Sequence, residues 1–353
     1  MGGDPSEAPV LNSDEIGQLR ERLRPFLKQH GIEGDFTLAA LPGGANNRVF
    51  RLTQAGREFA LKSYFQNPGD PRDRFGAERA FYELLWRHGV RRTPEPLAWE
   101  AEQRAGLFEF VNGRKLDAGE VDRERVGEAL AFVVELNQCR AVAGAAAVPV
   151  ASEACFSVAE HLALIGQRVA RLQQIEATTE LDQEAAAFAR EQLMPEWRRL
   201  ADAISKSAGA MLGKGLGTGE RCLSPSDFGF HNALLPADGR LRFFDFEYAG
   251  WDDPAKLVCD FFCQPQLPVA HGEWDTFVGP LARALGQEES LPARARLLLP
   301  VYQVKWCCIM LNDFVRADRA RRDFAGVGGR KAVQLARARE ALRAAVQERD
   351  CQA

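Results

Sequence analysis

The stretch Cys222-Leu-Ser-Pro-Ser-Asp-Phe-Gly-Phe-His-Asn-Ala-Leu-Leu235, followed by Leu241-Arg-Phe-Phe-Asp-Phe-Glu-Tyr-Ala-Gly250, decides how the rest of the chain is read. It alternates turn-rich loops with short apolar strands, and it places Asp227, Asn232 and Asp245 on two closely connected loops. Two carboxylates and an amide oxygen converging in one cleft are hard oxygen ligands of the kind Mg²⁺ takes, with water and phosphate completing the octahedron. Taken singly, Asp227 and Asn232 are ordinary turn formers. Asp245 is harder to explain away, because a carboxylate among phenylalanines is costly to bury without a partner.

Phosphate groups need a cation, and working outward the chain offers one far upstream. Lys62 sits inside the strand pattern Phe59-Ala-Leu-Lys-Ser-Tyr64, although only eight of the 45 basic residues are lysines. Around it the sequence predicts an antiparallel hairpin, with strands near 36–41, 48–53 and 58–64 and a turn at Gln54-Ala55-Gly56-Arg57. A breaker cluster, Pro42-Gly43-Gly44-Ala45-Asn46-Asn47, stands before the second strand; its Gly43, Gly44 and Asn46 would let backbone N–H groups approach phosphates. An amphipathic helix precedes the strands at 14–30, and a second runs from Pro71 through Arg87, stopped by Gly89. Glu78 on that second helix is the partner expected for Lys62, with Glu83 as the alternative. Two more strands, Pro96–Glu100 and Gly106–Val111, end at the break Asn112-Gly113.

Beyond residue 112 helical patterns dominate, at 119–139, 155–177, 180–206, 275–285, 292–316 and 328–349. The expected fold is therefore α+β and two-lobed, with a small antiparallel sheet lobe at 1–111 and a large, mainly helical lobe at 112–353. With 353 residues, 46% of them hydrophobic, the chain has ample core and needs no disulfide or structural metal. The eight cysteines lie mostly in apolar runs without zinc spacing, which suits buried thiols in a reducing cytoplasm. No apolar run approaches a membrane span, and a net charge of -4 argues against nucleic acid as partner. The stretch Gly209-Ala-Met-Leu-Gly-Lys-Gly215 has one residue too few, and no Ser or Thr, for a P-loop.

In order and context these residues resemble the aminoglycoside phosphotransferase and choline kinase group, small-molecule kinases of the protein-kinase-like fold. The resemblance implies that Lys62 contacts the α- and β-phosphates of ATP and that Glu78 pairs with it. By the same resemblance Asp227 is the catalytic-loop aspartate, Asn232 and Asp245 hold Mg²⁺, and backbone groups from Glu109 to Gly113, including Val111, meet the adenine edge. Asp227-Phe-Gly229 spells the protein-kinase metal motif, but the offset to Asn232 and the position upstream of Asp245 make it the catalytic loop.

Two departures from the family pattern stand out. Ser224-Pro225-Ser226 replaces the usual His-Gly before the catalytic aspartate, so Ser226 or His231 would have to brace the loop. After Asp253-Pro254, the family's supporting acid is replaced by Leu257, with Asp260 one helical turn later. The implied reaction is transfer of the γ-phosphoryl group of ATP, or of GTP, to a hydroxyl of an aminoglycoside, sugar, amino sugar or amino alcohol. A nucleotide-binding pseudokinase is the alternative. Glu247, Trp251 and Asp252 are expected to line the acceptor pocket, with the 300–316 helix as a possible wall, and acids there would suit an amine-bearing acceptor. The Arg-rich tail ends in an amphipathic helix, suited to a solvated face or a homodimer contact.

Overall fold

The computed structural model describes residues 13–41, 47–65, 72–315 and 331–352. In the small lobe β1 (Thr37–Ala40), β2 (Asn47–Gln54), β3 (Arg57–Tyr64), β4 (Pro96–Glu100) and β5 (Ala105–Glu109) form one antiparallel sheet in the order β1-β2-β3-β5-β4. Ala55 and Gly56 turn the β2–β3 hairpin with φ of 48° and 79°, the left-handed pair that a two-residue loop requires. Helix α1 (Ser13–Gln29) covers one face, where Leu23 and Leu27 pack with Phe50, Leu52 and Leu61. Helix α2 (Arg74–Arg87) begins at Arg74 because Asp73 caps it, accepting from the Gly76 N–H at 3.2 Å; Pro71, where the sequence put the start, lies outside the described residues.

Hydrophobic packing does not stop where the small lobe ends. Phe81, Tyr82, Leu84 and Leu85 of α2, with Phe108 of β5, belong to the same core as the large lobe. That core is built on α3 (Arg123–Gln138), α4 (Val158–Arg171), α5 (Glu180–Phe188) and α6 (Met194–Ala208), then α7 (Pro254–Cys263), α8 (Trp274–Leu285), α9 (Ser290–Leu311) and α10 (Lys331–Gln352). The single helix expected at 180–206 carries a π-helical turn at Ala189–Leu193. Pro195, just beyond it, has no N–H to give and crowds the carbonyl of Glu191, so the preceding turn widens.

Helix α7 was not among the expected helices, because Pro254 through Phe262 are all buried. A helix apolar on every side has no amphipathic period to detect. Helix α10 turns Leu335, Ala338, Leu342 and Ala345 inward, and Cys307 of α9 donates through Sγ to the Ala338 carbonyl at 3.2 Å. Its apolar face is therefore covered by its own chain, which removes the reason for expecting a dimer contact there. No helix among the described residues is long and apolar enough to cross a membrane.

Between α6 and α7 the chain makes β7 (Cys222–Ser224), β8 (Ala233–Pro236), β9 (Arg242–Phe243) and β10 (Gly250–Asp252). β7 pairs with β10, while β8 lies between β9 and β6 (Gly113–Arg114), so the linker from the small lobe is sewn directly to the strand that follows Asn232.

Candidate active site

Alternation along β3 turns Lys62 inward, and the geometry of α2 brings Glu78 to meet it. Lys62 Nζ lies 2.6 Å from Glu78 Oε2 and 2.5 Å from Asp245 Oδ1. Glu78 spends its other oxygen on the Phe246 N–H at 3.0 Å, so one helix residue fixes both the lysine and the loop that carries Asp245. Burial would lower the pKa of Lys62, but Asp245, Glu78 and Glu247 outweigh it and hold the ammonium charged. Glu83 pairs instead with Arg79 on the exposed face of α2 at 2.7 Å, which settles the choice between the two glutamates.

The neighbours of the two aspartates explain where the carboxylates point. Phe228, after Asp227, stacks on Phe261 at 5.1 Å, and Phe246, after Asp245, packs on Phe81, Tyr82 and Phe132. Each buried ring is worth about 2 kcal/mol and anchors its loop with the preceding aspartate turned the other way. Ser226 and Asp245 both sit in the left-handed region, at φ of 68° and 70°, where a non-glycine residue is strained. Asn137, buried on α3, clamps β7 by accepting from the Leu223 N–H at 2.9 Å and donating to the Leu223 carbonyl at 3.0 Å.

Of the two braces considered for the catalytic loop, His231 is in place, with Nε2 at 3.2 Å from Asp227 Oδ1. Ser226 turns its hydroxyl to Lys256 Nζ at 3.4 Å. The Asp227 side chain is 39% exposed. Burial pushes its pKa up, yet His231, Lys305 and Lys256 together bring it below the usual carboxylate range. Asn232 donates from Nδ2 to the Asp227 carbonyl at 3.0 Å and accepts the Phe244 N–H on its own carbonyl at 3.0 Å, which ties the two loops together. That use of Nδ2 leaves the amide Oδ1 as its donor atom toward a cation. With Asp245 it makes a pair of hard oxygens, the set a small divalent ion shares with phosphate and water. No cluster of three or more His, Cys, Asp or Glu of metal-binding type occurs among the described residues.

On the nucleotide side, Gly43, Gly44 and Asn46 lie outside the described residues. Glu109 ends β5; its N–H donates to the Glu95 carbonyl at 2.9 Å and its side chain accepts the Glu95 N–H at 3.2 Å. Val111 follows in the half-buried linker. The sequence reading passed over Lys115, which reaches from the linker to the His231 carbonyl at 2.5 Å and lies 4.3 Å above the Phe244 ring. Burial lowers its pKa to about 8, with Asp245 pulling the other way. Its signal was available, since Lys115 is another of the eight lysines, but nothing in its local pattern marks it.

Of the three acceptor-side residues, Asp252 needs correction. Asp252 is fully buried and ion-paired with Lys256 at 2.5 Å, so it supports the loop rather than lining a pocket. Trp251 donates from Nε1 to the Ala145 carbonyl at 3.0 Å and packs on the core. Glu247 is mostly buried but lines a cavity with Arg72, Ser152 and Tyr248; it accepts from the Asn47 side chain and lies 3.7 Å from Arg74 Nε, joining the loop that carries Asp245 to the starts of β2 and α2. Beneath Asp227 a second set appears, with Lys305 Nζ 2.7 and 2.8 Å from the two oxygens of Asp260 and Trp306 Nε1 3.0 Å from the same carboxylate. Asp253 caps α7 and is held by His161 and Arg294 at 3.0 and 2.7 Å.

Comparison with known proteins agrees with this fold. The model of the phosphotransferase enzyme family matches residues 37–298. No curated protein sequence matches the chain. Among solved structures, a choline kinase from Cryptosporidium parvum Iowa II superposes with a TM-score of 0.58 at 11% identity, covering 96% of each chain. A choline/ethanolamine kinase family protein from Mesorhizobium loti gives 0.57 at 18% identity, covering 93% of this chain and 99% of its own. An amicoumacin kinase in complex with AMP-PNP, Ca²⁺ and its antibiotic gives 0.55 at 14% identity, covering 94% and 96%. At these identities the likeness establishes the two-lobed kinase-like fold.

Proposed function

This chain belongs to the phosphotransferase enzyme family, and from that premise we infer that it moves the γ-phosphoryl group of ATP to a hydroxyl of a small molecule. The observation that carries the reading is the closed Lys62–Glu78–Asp245 set, at 2.6 and 2.5 Å, which places a charged ammonium beside the metal loop. Lys62 would neutralise the donor phosphates, and the backbone around Glu109 and Val111 would take the adenine edge. Asn232 and Asp245 would hold Mg²⁺, which when bound offsets charge on the phosphates and holds them in line for transfer. Asp227, oriented by His231, would hold the acceptor hydroxyl and take up its proton late in the transfer. Lys115 adds a second ammonium on the linker side of the cleft. The buried free thiols at 139, 155, 222, 259, 307 and 308 suit a reducing cytoplasm.

The Lys62–Glu78–Asp245 set would serve nucleotide binding in an active enzyme and in a nucleotide-binding pseudokinase alike, so turnover decides between them. The test is ADP release from Mg²⁺-ATP with a panel of hydroxyl acceptors, run beside the thermal shift produced by Mg²⁺-ATP alone. Turnover with one acceptor and a rise in Tm, both lost in Asp245→Ala, are the expected results. A Tm rise without turnover on any acceptor would favour the pseudokinase, and no response to nucleotide would overturn both.

A further inference from the structure

The acids around the acceptor face are already matched by cations of the same chain. Asp252 has Lys256, Asp260 has Lys305 with Lys256 at 3.8 Å, and Glu153 has the guanidinium of Arg168 at 2.5 Å. Asp253 has Arg294, and Glu247 has Arg74. Lys256 also touches Ser226, the residue before Asp227, so the chain of contacts runs unbroken from the catalytic loop to α9. Among the described residues, Asp227 is the acid of this face whose side-chain partner is an imidazole rather than a lysine or arginine. A protonated amine entering beside Asp227 would feel the charges of Lys256 and Lys305, which already act on that carboxylate, and among the described residues of this face it would find no acid lacking a cation except the one needed for the hydroxyl.

Resting on the phosphotransferase reading, we propose that the acceptor is an uncharged polyhydroxylated molecule of the sugar class and that this face discriminates against cationic amines. The half-buried indole of Trp306 offers an apolar plane to a sugar ring, and the Glu153–Arg168 pair, 30% and 20% exposed, offers an acceptor and a donor to its hydroxyls. Charge balance then acts as a filter: a neutral ligand keeps the resident pairs, whereas a cation competes with Lys256, Lys305 and Arg168 for their carboxylates.

The test uses acceptor pairs that differ in charge alone, glucosamine against N-acetylglucosamine and glucose, and galactosamine against N-acetylgalactosamine and galactose, at pH 7 with Mg²⁺-ATP. The neutral members should show at least tenfold higher kcat/KM, and an equal or better amine overturns the proposal. Lys305→Met, which leaves Asp260 without its main cation, should move that ratio at least fivefold toward the amines. Arg168→Gln makes the same test through Glu153 should the first variant not fold, and an unmoved ratio counts against the proposal. The same pairs are measured by thermal shift with a non-hydrolysable ATP analogue. If no acceptor is phosphorylated, the phosphotransferase reading fails, and the charge inference is still decided: a larger Tm rise with neutral members upholds it, and a rise that follows the amines, or none with the neutral members, overturns it.

Discussion

Lys62 and Lys305 are both buried amines, each with 8% of its side chain exposed and each held by carboxylates, yet they stand at opposite ends of the site. Lys62 lies on a strand, meets Glu78 from the neighbouring helix, and shares its charge with Asp245 on the loop after β9. Lys305 lies on α9 and meets Asp260 from α7, with Trp306 closing over the same carboxylate. The first arrangement sets one ammonium between two carboxylates and leaves Asp245, 26% exposed, as the acid that a divalent cation would meet ahead of a polyphosphate. The second cancels charge inside the lobe. One end of the site thus carries one carboxylate more than its ammonium matches, a charge that a divalent cation would offset, and the other is neutral by itself.

Substitution of the two lysines breaks the comparison most sharply. Lys62→Met leaves the buried acid Glu78 beside the half-buried Asp245, and Lys305→Met leaves Asp260 with Lys256 alone; each should cost about 3 kcal/mol by denaturant unfolding. The two should differ in ligand response, Lys62→Met losing the Mg²⁺-ATP thermal shift and Lys305→Met keeping it. Loss of the shift in both variants would show that the two ends are not separable.

A smaller effect belongs to Glu153. Burial raises its pKa, but Arg168 outweighs this and holds the carboxyl down at about 2. A depressed carboxylate contributes stability that is present above its ordinary value near 4.5 and fades as pH falls toward 2. Glu153→Gln should therefore lower stability by about 1 kcal/mol at pH 7, after discounting for solvent screening. The gap to the parent protein should narrow on acidification from pH 5 to pH 3, and a gap that widens contradicts the pairing.

The smallest effect concerns Ser226, strained at φ 68° in the position where the family pattern has glycine. Ser226→Gly should relieve the strain and raise stability by about 0.5 kcal/mol, because the 3.4 Å contact to Lys256 is a weak loss. A clear fall in Tm would mean that this contact matters more than the backbone.

The same contrast explains what could be read from sequence. Lys62, Glu78, Asp227, Asn232 and Asp245 stand in strand, helix and loop contexts whose local patterns are plain; the structure puts Lys62 in contact with Glu78 and Asp245 and ties Asn232 to the Asp227 and Phe244 backbone. The acceptor face is built from pairs such as Glu153–Arg168 and Asp260–Lys305, joined only by packing between α4, α7 and α9. Asp252 looked like a pocket acid because its neighbours are loop residues. Only the fold reveals that Lys256, one turn along α7, neutralises it. Helix α7 itself escaped notice since complete burial erases periodicity. Lys115 was missed for a related reason: its partners, His231 and Phe244, are distant in sequence.

The central claim is that Asp227 serves transfer from ATP to an acceptor hydroxyl. It is tested most directly by following the γ-phosphate of isotopically labelled ATP into a neutral sugar acceptor with the parent protein and with Asp227→Asn. The parent should give labelled sugar phosphate, and the variant should lose about 10²- to 10⁴-fold in kcat while retaining Mg²⁺-ATP binding. Equal transfer by both proteins would contradict it.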